Sequence, residues 1–201
     1  ADPTSRVLLL DAGGKDGDLL TRMPAGWGRI TTDPRYVGLY QSEPEAGTAG
    51  RRHTLPRGRI LGGCSTVNGM IYVRGQAEDY DGWAAAGATG WDWASVRPYF
   101  LRSEDQQHIR DPHHGVGGPM PVSDLPAVNP IGAHIVRAFE QAGVPANADF
   151  NGAAQEGVGY YQTTMRGAER WATSRSFLEP VRGRENLVVV TGALVEQVLI
   201  A

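Results

Sequence analysis

Residues 57–75, RGRILGGCSTVNGMIYVRG, constrain this chain more than any other stretch. The pair Gly62-Gly63 sits between an apolar approach, Ile60-Leu61, and the small polar run Cys64-Ser65-Thr66, with Asn68-Gly69 close behind. Paired glycines admit positive φ and let a backbone come close to a ligand with no Cβ between them. Amides that run from such a turn into a helix, flanked by hydroxyls, form a natural anion cradle. Arg57 and Arg59 add positive charge beside it. The same residues also fit a plain glycine loop joining a strand to a helix, and the local sequence leaves both readings open.

The rest of the chain narrows the class. Its 201 residues allow one large domain or two small ones, and 41% hydrophobic with 20% charged residues is an ordinary globular balance. Twenty-seven glycines and thirteen prolines suit an α/β enzyme better than a helical bundle. A net charge of −3 with both signs interspersed argues against a nucleic-acid footprint or a polybasic membrane patch. No apolar run is long enough to span a bilayer, and no secretory signal is expected. One cysteine, Cys64, excludes an internal disulfide and leans towards the cytoplasm. As a nucleophile it needs a base, which the fold would have to bring; otherwise it is a small loop residue.

Arg6 to Leu10 is a continuous apolar run that predicts a strand buried on both faces, followed by Asp11-Ala12-Gly13-Gly14. An acidic residue ending the second strand of a dinucleotide fold bonds the ribose, and a strand-terminal aspartate equally starts a turn. No G-x-G-x-x-G precedes Asp11, and Gly13, Gly14 and Gly17 have the wrong spacing. Periodicity and caps predict helices over 77–86, 94–103, 129–142 and 172–181. Strands are predicted over 52–55, 119–123, 157–164, 187–191 and 194–200. Asp111, His113 and His114 are metal-ligand types, but adjacent histidines with no HExxH or Cys–His partner predict no metal.

The run Gly58-Arg59-x-Leu61-Gly62-Gly63-x-Ser65-x-x-Asn68, then Tyr72, Gly75 and Asp81, resembles the first signature of the glucose–methanol–choline (GMC) oxidoreductases. These flavoproteins oxidise alcohols with FAD; bacterial choline-dehydrogenase-like members show the same order of elements. Cys64 stands where glycine, serine or threonine is commoner. The resemblance implies an α/β fold: a Rossmann-like FAD-binding domain without its first strand and G-x-G-x-x-G turn, plus part of an antiparallel-sheet substrate domain. Residues 1–110 would be the FAD-binding portion with lid and signature loop. Residues 111–165 would belong to the substrate domain, interleaved with an FAD-domain helix, and 166–201 would return to the FAD domain.

By the same resemblance, Gly62, Gly63, Cys64 and Ser65 face the FAD pyrophosphate and ribityl chain, with Arg59 beside them. Asn68, Gly69 and Met70 lie against the isoalloxazine, Asp11 holds the ribose, and Val195 offers a backbone contact to adenine. Val67 stands where some members tether the flavin through a histidine, so the FAD is expected to be non-covalent. The implied reaction is hydride transfer from a primary alcohol, choline-like or aliphatic, to flavin N5, with a quinone or oxygen as electron acceptor. The family's general base is a histidine near the C-terminus, paired with a second histidine or asparagine, and that pair is expected beyond Ala201. His53, His108, His113, His114 and His134 do not sit in that motif, so no catalytic residue is assigned here. The chain alone is expected to be inactive, the remainder coming from a longer protein or another chain. The location implied is cytoplasmic, or peripheral to the inner membrane. A non-catalytic nucleotide-binding module is the alternative; a hydrolase using Cys64 or Ser65 lacks a G-x-S-x-G elbow.

Overall fold

The computed structural model describes residues 3–200. In chain order its elements are β1 (Val7–Asp11), α1 (Leu19–Arg22), α2 (Trp27–Ile30), β2 (Val37–Gln41), β3 (Thr54–Gly58), α3 (Cys64–Val67), β4 (Ile71–Tyr72), α4 (Ala77–Ala85) and α5 (Trp93–Ser103). There follow β5 (Glu104–Gln106), β6 (Met120–Val122), α6 (Pro130–Gln141), β7 (Gln162–Thr163), β8 (Met165–Arg166), β9 (Glu169–Arg170) and β10 (Leu187–Thr191). Mixed helices and small sheets of this kind make it an α/β chain with a partial Rossmann-like layer. It divides into two compact units: the first runs up to Gly69 and resumes at Glu169, and the second is Met70–Ala168. No helix among the described residues is long and apolar enough to cross a membrane.

In the first unit β1 pairs in parallel with β10, Val7 opposite Leu187 through Asp11 opposite Thr191. The apolar runs VLLL and LVVV thus become a parallel pair, as their composition predicts. Val7, Leu8, Leu10, Val188 and Val190 nevertheless stay exposed, because among the described residues this sheet has only two strands and little to cover it. β2 and β3 form an antiparallel pair with Val37 opposite Gly58. Ile30, Tyr36, Val37, Ile60 and Val67 make the buried core, with Leu20 packed against it. That core is the floor on which residues 60–67 rest.

Two predicted elements near the C-terminal end differ. Residues 172–181 form no α-helix but a π-helical turn, Ser174–Leu178, followed by a 3-10 turn, Glu179–Val181. Pro180 has no amide to donate, so the regular ladder cannot run through it. Residues 194–200 carry no strand. The chain turns at Gly192, and among the described residues no strand lies alongside to accept a ladder.

The second unit has an antiparallel pair, β4 with β7, and a parallel pair, β5 with β6. Tyr80 of α4 gathers Trp83, Trp93 and Phe100 around it, with ring centroids 5.3, 5.4 and 5.7 Å away. Asp92 caps α5 by accepting from Ser95 N at 3.0 Å, and Asn129 caps α6 by accepting from Ile131 N at 3.1 Å. Ile131, Ile135 and Phe139 share one face of α6, yet all three are half exposed or more. The strand predicted over 157–164 shrinks to β7, with Val158 making only an isolated bridge to Ala146.

Candidate cofactor site

Between β3 and α3 the backbone crosses the core with Ile60, Leu61, Thr66 and Val67 buried beneath it. Gly63 has φ +55° and ψ −136°, a conformation that L side chains rarely adopt, and a Cβ there would meet nothing within 4 Å. The loop therefore presents bare backbone to open space at this point. The turn after β1 is drawn tightly against it: Leu61 N donates to Gly14 O at 2.9 Å. A Cβ on Gly13 would lie 1.8 Å from Arg59 O, so only glycine permits the approach. Asp11 Oδ1 accepts from Gly13 N at 2.7 Å, and Arg59 Nε reaches Ala12 O at 3.4 Å. The strand-terminal aspartate thus starts a turn through one carboxylate oxygen.

Residues 170–174 brace the loop from behind. Ser65 Oγ donates to Gly62 O at 2.6 Å, accepts from Thr173 N at 2.9 Å, and lies 2.9 Å from Thr173 Oγ1. Its hydroxyl is committed to the protein interior. Cys64 is exposed, with Sγ accepting from Gly58 N at 3.3 Å. Arg170 Nη1 donates to Asn68 Oδ1 at 3.0 Å and to Ser65 O at 3.2 Å. Arg170 is 1% exposed, and its Nε and Nη2 find no partner. Burial pushes its pKa down to about 10, which still leaves the guanidinium charged at neutral pH. A positive charge is therefore held behind the loop.

Two cavities of the first unit flank these elements. One, of about 390 Å³, is lined by Ala12, Gly13, Arg35, Arg59 and Gly192. The other, of about 500 Å³, is lined by Asp11, Leu61, Gly62, Thr173 and Phe177 among others. Of the residues singled out from sequence, Asp11, Arg59, Gly62, Gly63, Cys64 and Ser65 converge here, and Asn68 is tied in through Arg170. Gly69 ends the unit's first segment, and Met70, buried with φ +64°, opens the second unit. Val195 lies two residues beyond Ala193, whose N donates to Asp11 O at 2.9 Å, in a segment that is not a strand. Ala201, beyond which the histidine pair of the family is expected, lies outside the described residues.

Sequence reasoning did not assign Gly13, Arg170 or Thr173 to the site. Gly13 failed the spacing test for a phosphate turn, and Thr173 reads in isolation as a helix cap. Nothing in the run Glu169-Arg170-Trp171 signals a buried guanidinium with two nitrogens left without partners.

The chain matches the family described as GMC oxidoreductase over residues 25–201. It is 40% identical over 200 residues to an alcohol dehydrogenase [acceptor] of Pseudomonas putida, covering 99% of this chain and 36% of that protein. It is also 40% identical over 186 residues to an oxygen-dependent choline dehydrogenase of Rhizobium johnstonii, covering 92% and 34% respectively. Among solved structures it superimposes on pyridoxine 4-oxidase from Mesorbium loti with a TM-score of 0.87 and 36% identity, covering 95% of this chain and 38% of that one. The chain thus spans about a third of the length of the relatives it matches.

Proposed function

Because the chain belongs to the GMC oxidoreductase family, we propose that it forms part of an FAD-dependent enzyme that oxidises a primary alcohol, choline-like or aliphatic, to the aldehyde. The observation that carries this is the bare backbone at Gly63, set between the Asp11–Gly14 turn and the Arg170–Ser174 brace. An anionic dinucleotide fits that surface: the backbone can approach a diphosphate there, and the guanidinium of Arg170 supplies positive charge from behind. Asp11 Oδ1 is spent on the turn, so its other oxygen is the one to hold the ribose. Arg59 stands at the wall of the cavity beside that turn.

FAD would supply the two-electron acceptor, taking hydride at N5 and passing the electrons to a quinone or oxygen. The chain's own residues bind and orient. Arg170 fixes the carboxamide of Asn68 by holding its Oδ1. Val67 is buried in the core and has no nucleophilic atom, which favours a dissociable flavin. The hydroxyl proton needs a poised base.

The test is titration of the chain with FAD, followed by quenching of flavin fluorescence, for the wild type and Gly63→Val. Binding is expected to be saturable in the wild type and weaker by about tenfold or more in the variant. That loss is a small part of what blocked backbone approach can cost a buried site. Bound flavin should pass to the supernatant on acid precipitation. Equal affinity in two proteins with the same far-UV dichroism overturns the assignment.

A further inference from the structure

The second unit holds a buried polar network that the alcohol chemistry does not use. The side chain of His114 is fully buried, with Nδ1 3.0 Å from Glu104 Oε1 and Nε2 2.9 Å from Asp149 Oδ2. Glu104 is itself tied down: Oε2 accepts from Gly115 N at 2.9 Å and from Arg74 Nη2. Gln106 Nε2 lies 3.4 Å from His114 Nδ1. Asp149 Oδ1 accepts from Asn151 N at 3.0 Å. A third carboxylate, Asp111, is exposed just before His114, with Oδ1 accepting from His113 N at 2.8 Å. One ligand atom from each of Asp111, His114 and Asp149 lies within 4.8 Å of the others.

An imidazole that aims both nitrogens at carboxylate oxygens has to carry a hydrogen or a bound cation on each nitrogen, since a bare lone pair would face one of the carboxylates. A second proton on the ring answers that for both contacts; a divalent ion at Nε2 answers it for Asp149 and Asp111 together. With Nδ1–H donated to Glu104, the tautomer is fixed and Nε2 is turned towards Asp149 and Asp111. Carboxylates backing a histidine in this way are the usual second layer of metal centres.

The geometry agrees. Ligand atoms bonded to one ion at about 2.0–2.1 Å stand about 3–3.5 Å apart, and Nε2 and Asp149 Oδ2 are already at 2.9 Å. Asp111, being exposed, has to close by only about 1–2 Å to reach the same range.

We propose that Asp111, His114 and Asp149 bind a divalent transition-metal ion, with Glu104 orienting His114 from behind. An imidazole nitrogen among the ligands suits zinc better than magnesium or calcium. Such an ion would pin the loop at 111–115 to the loop at 147–151.

The experiment is calorimetric titration of zinc chloride into the chain and into its Cys64→Ser variant, which removes the thiol as a competing ligand. Both should bind one zinc with proton release, and excess magnesium should not compete. Asp111→Asn leaves the Glu104–His114–Asp149 contacts in place, so it should fold normally and bind zinc about tenfold or more weakly, the usual scale for weakened metal sites. His113→Gln should bind as the wild type does. Absence of saturable binding in the Cys64→Ser protein, wild-type affinity in Asp111→Asn, or loss of binding in His113→Gln would each overturn the proposal.

Discussion

Single side chains decide how the first unit answers to acid. Asp18 Oδ1 caps α1 by accepting from Leu20 N at 2.8 Å, and its Oδ2 accepts from Tyr36 Oη at 2.5 Å. The Tyr36 hydroxyl first, then the Leu20 amide, hold the carboxyl below its ordinary range. A carboxyl depressed in the folded state adds stability above its unfolded pKa, about 4, and loses it as pH falls through the lower folded value. The unfolding midpoint should therefore fall with acid below about pH 4, and Asp18→Asn should make that limb shallower. Asp33 and Glu169 are also depressed, by hydrogen bonds to Arg35 and Arg22 respectively, so the limb should persist in part. An unchanged acid limb in the Asp18 variant would sink this account. Urea titrations from about pH 5 down to about pH 2.5, within the range where carboxylates protonate, measure it.

At the level of elements, much was legible from local signals. Asn129 before Pro130 marks a helix start and its side chain caps it; Asp92 caps the helix predicted from 94, which begins one residue earlier at Trp93. Asp92→Ala should cost about 1 kcal/mol of stability in the second unit, the usual worth of a cap. Denaturant curves followed by tryptophan fluorescence would show it, since Trp93 is the first residue of that helix. The signature loop was legible because glycine and small polar residues in that order leave few alternatives. What failed depended on distant partners. The apolar run at 194–200 has strand composition but no neighbour to pair with among the described residues, and Pro180 breaks a helix that side-chain periodicity alone predicts. Sequence spacing shows Asp111, His113 and His114 side by side, but not that the groups that meet His114 are Glu104 and Asp149, the latter from a loop 35 residues further on. The outward apolar stripe of α6 was visible as a helix face; its exposure was not.

For the molecule as a whole, covering about a third of its relatives' length sets the expectation for activity. Incubated with FAD, choline or simple primary alcohols and an artificial electron acceptor, the 201-residue chain should show no turnover. A missing base alone typically costs about 10²–10⁴-fold. Substantial turnover that disappears when Cys64 or one of the five histidines becomes alanine would show a complete catalytic apparatus within the chain. The topology of the first unit has a further consequence, for synthesis. The second unit draws its contacts from one continuous stretch, whereas β1 must find β10, pairing residue 7 with residue 187. At roughly 5–20 residues per second on the ribosome, β1 is synthesised about 10–40 s before its partner. For that interval an apolar strand waits for the edge it pairs with, so the yield of folded protein should depend on translation speed and chaperone supply as well as on final stability.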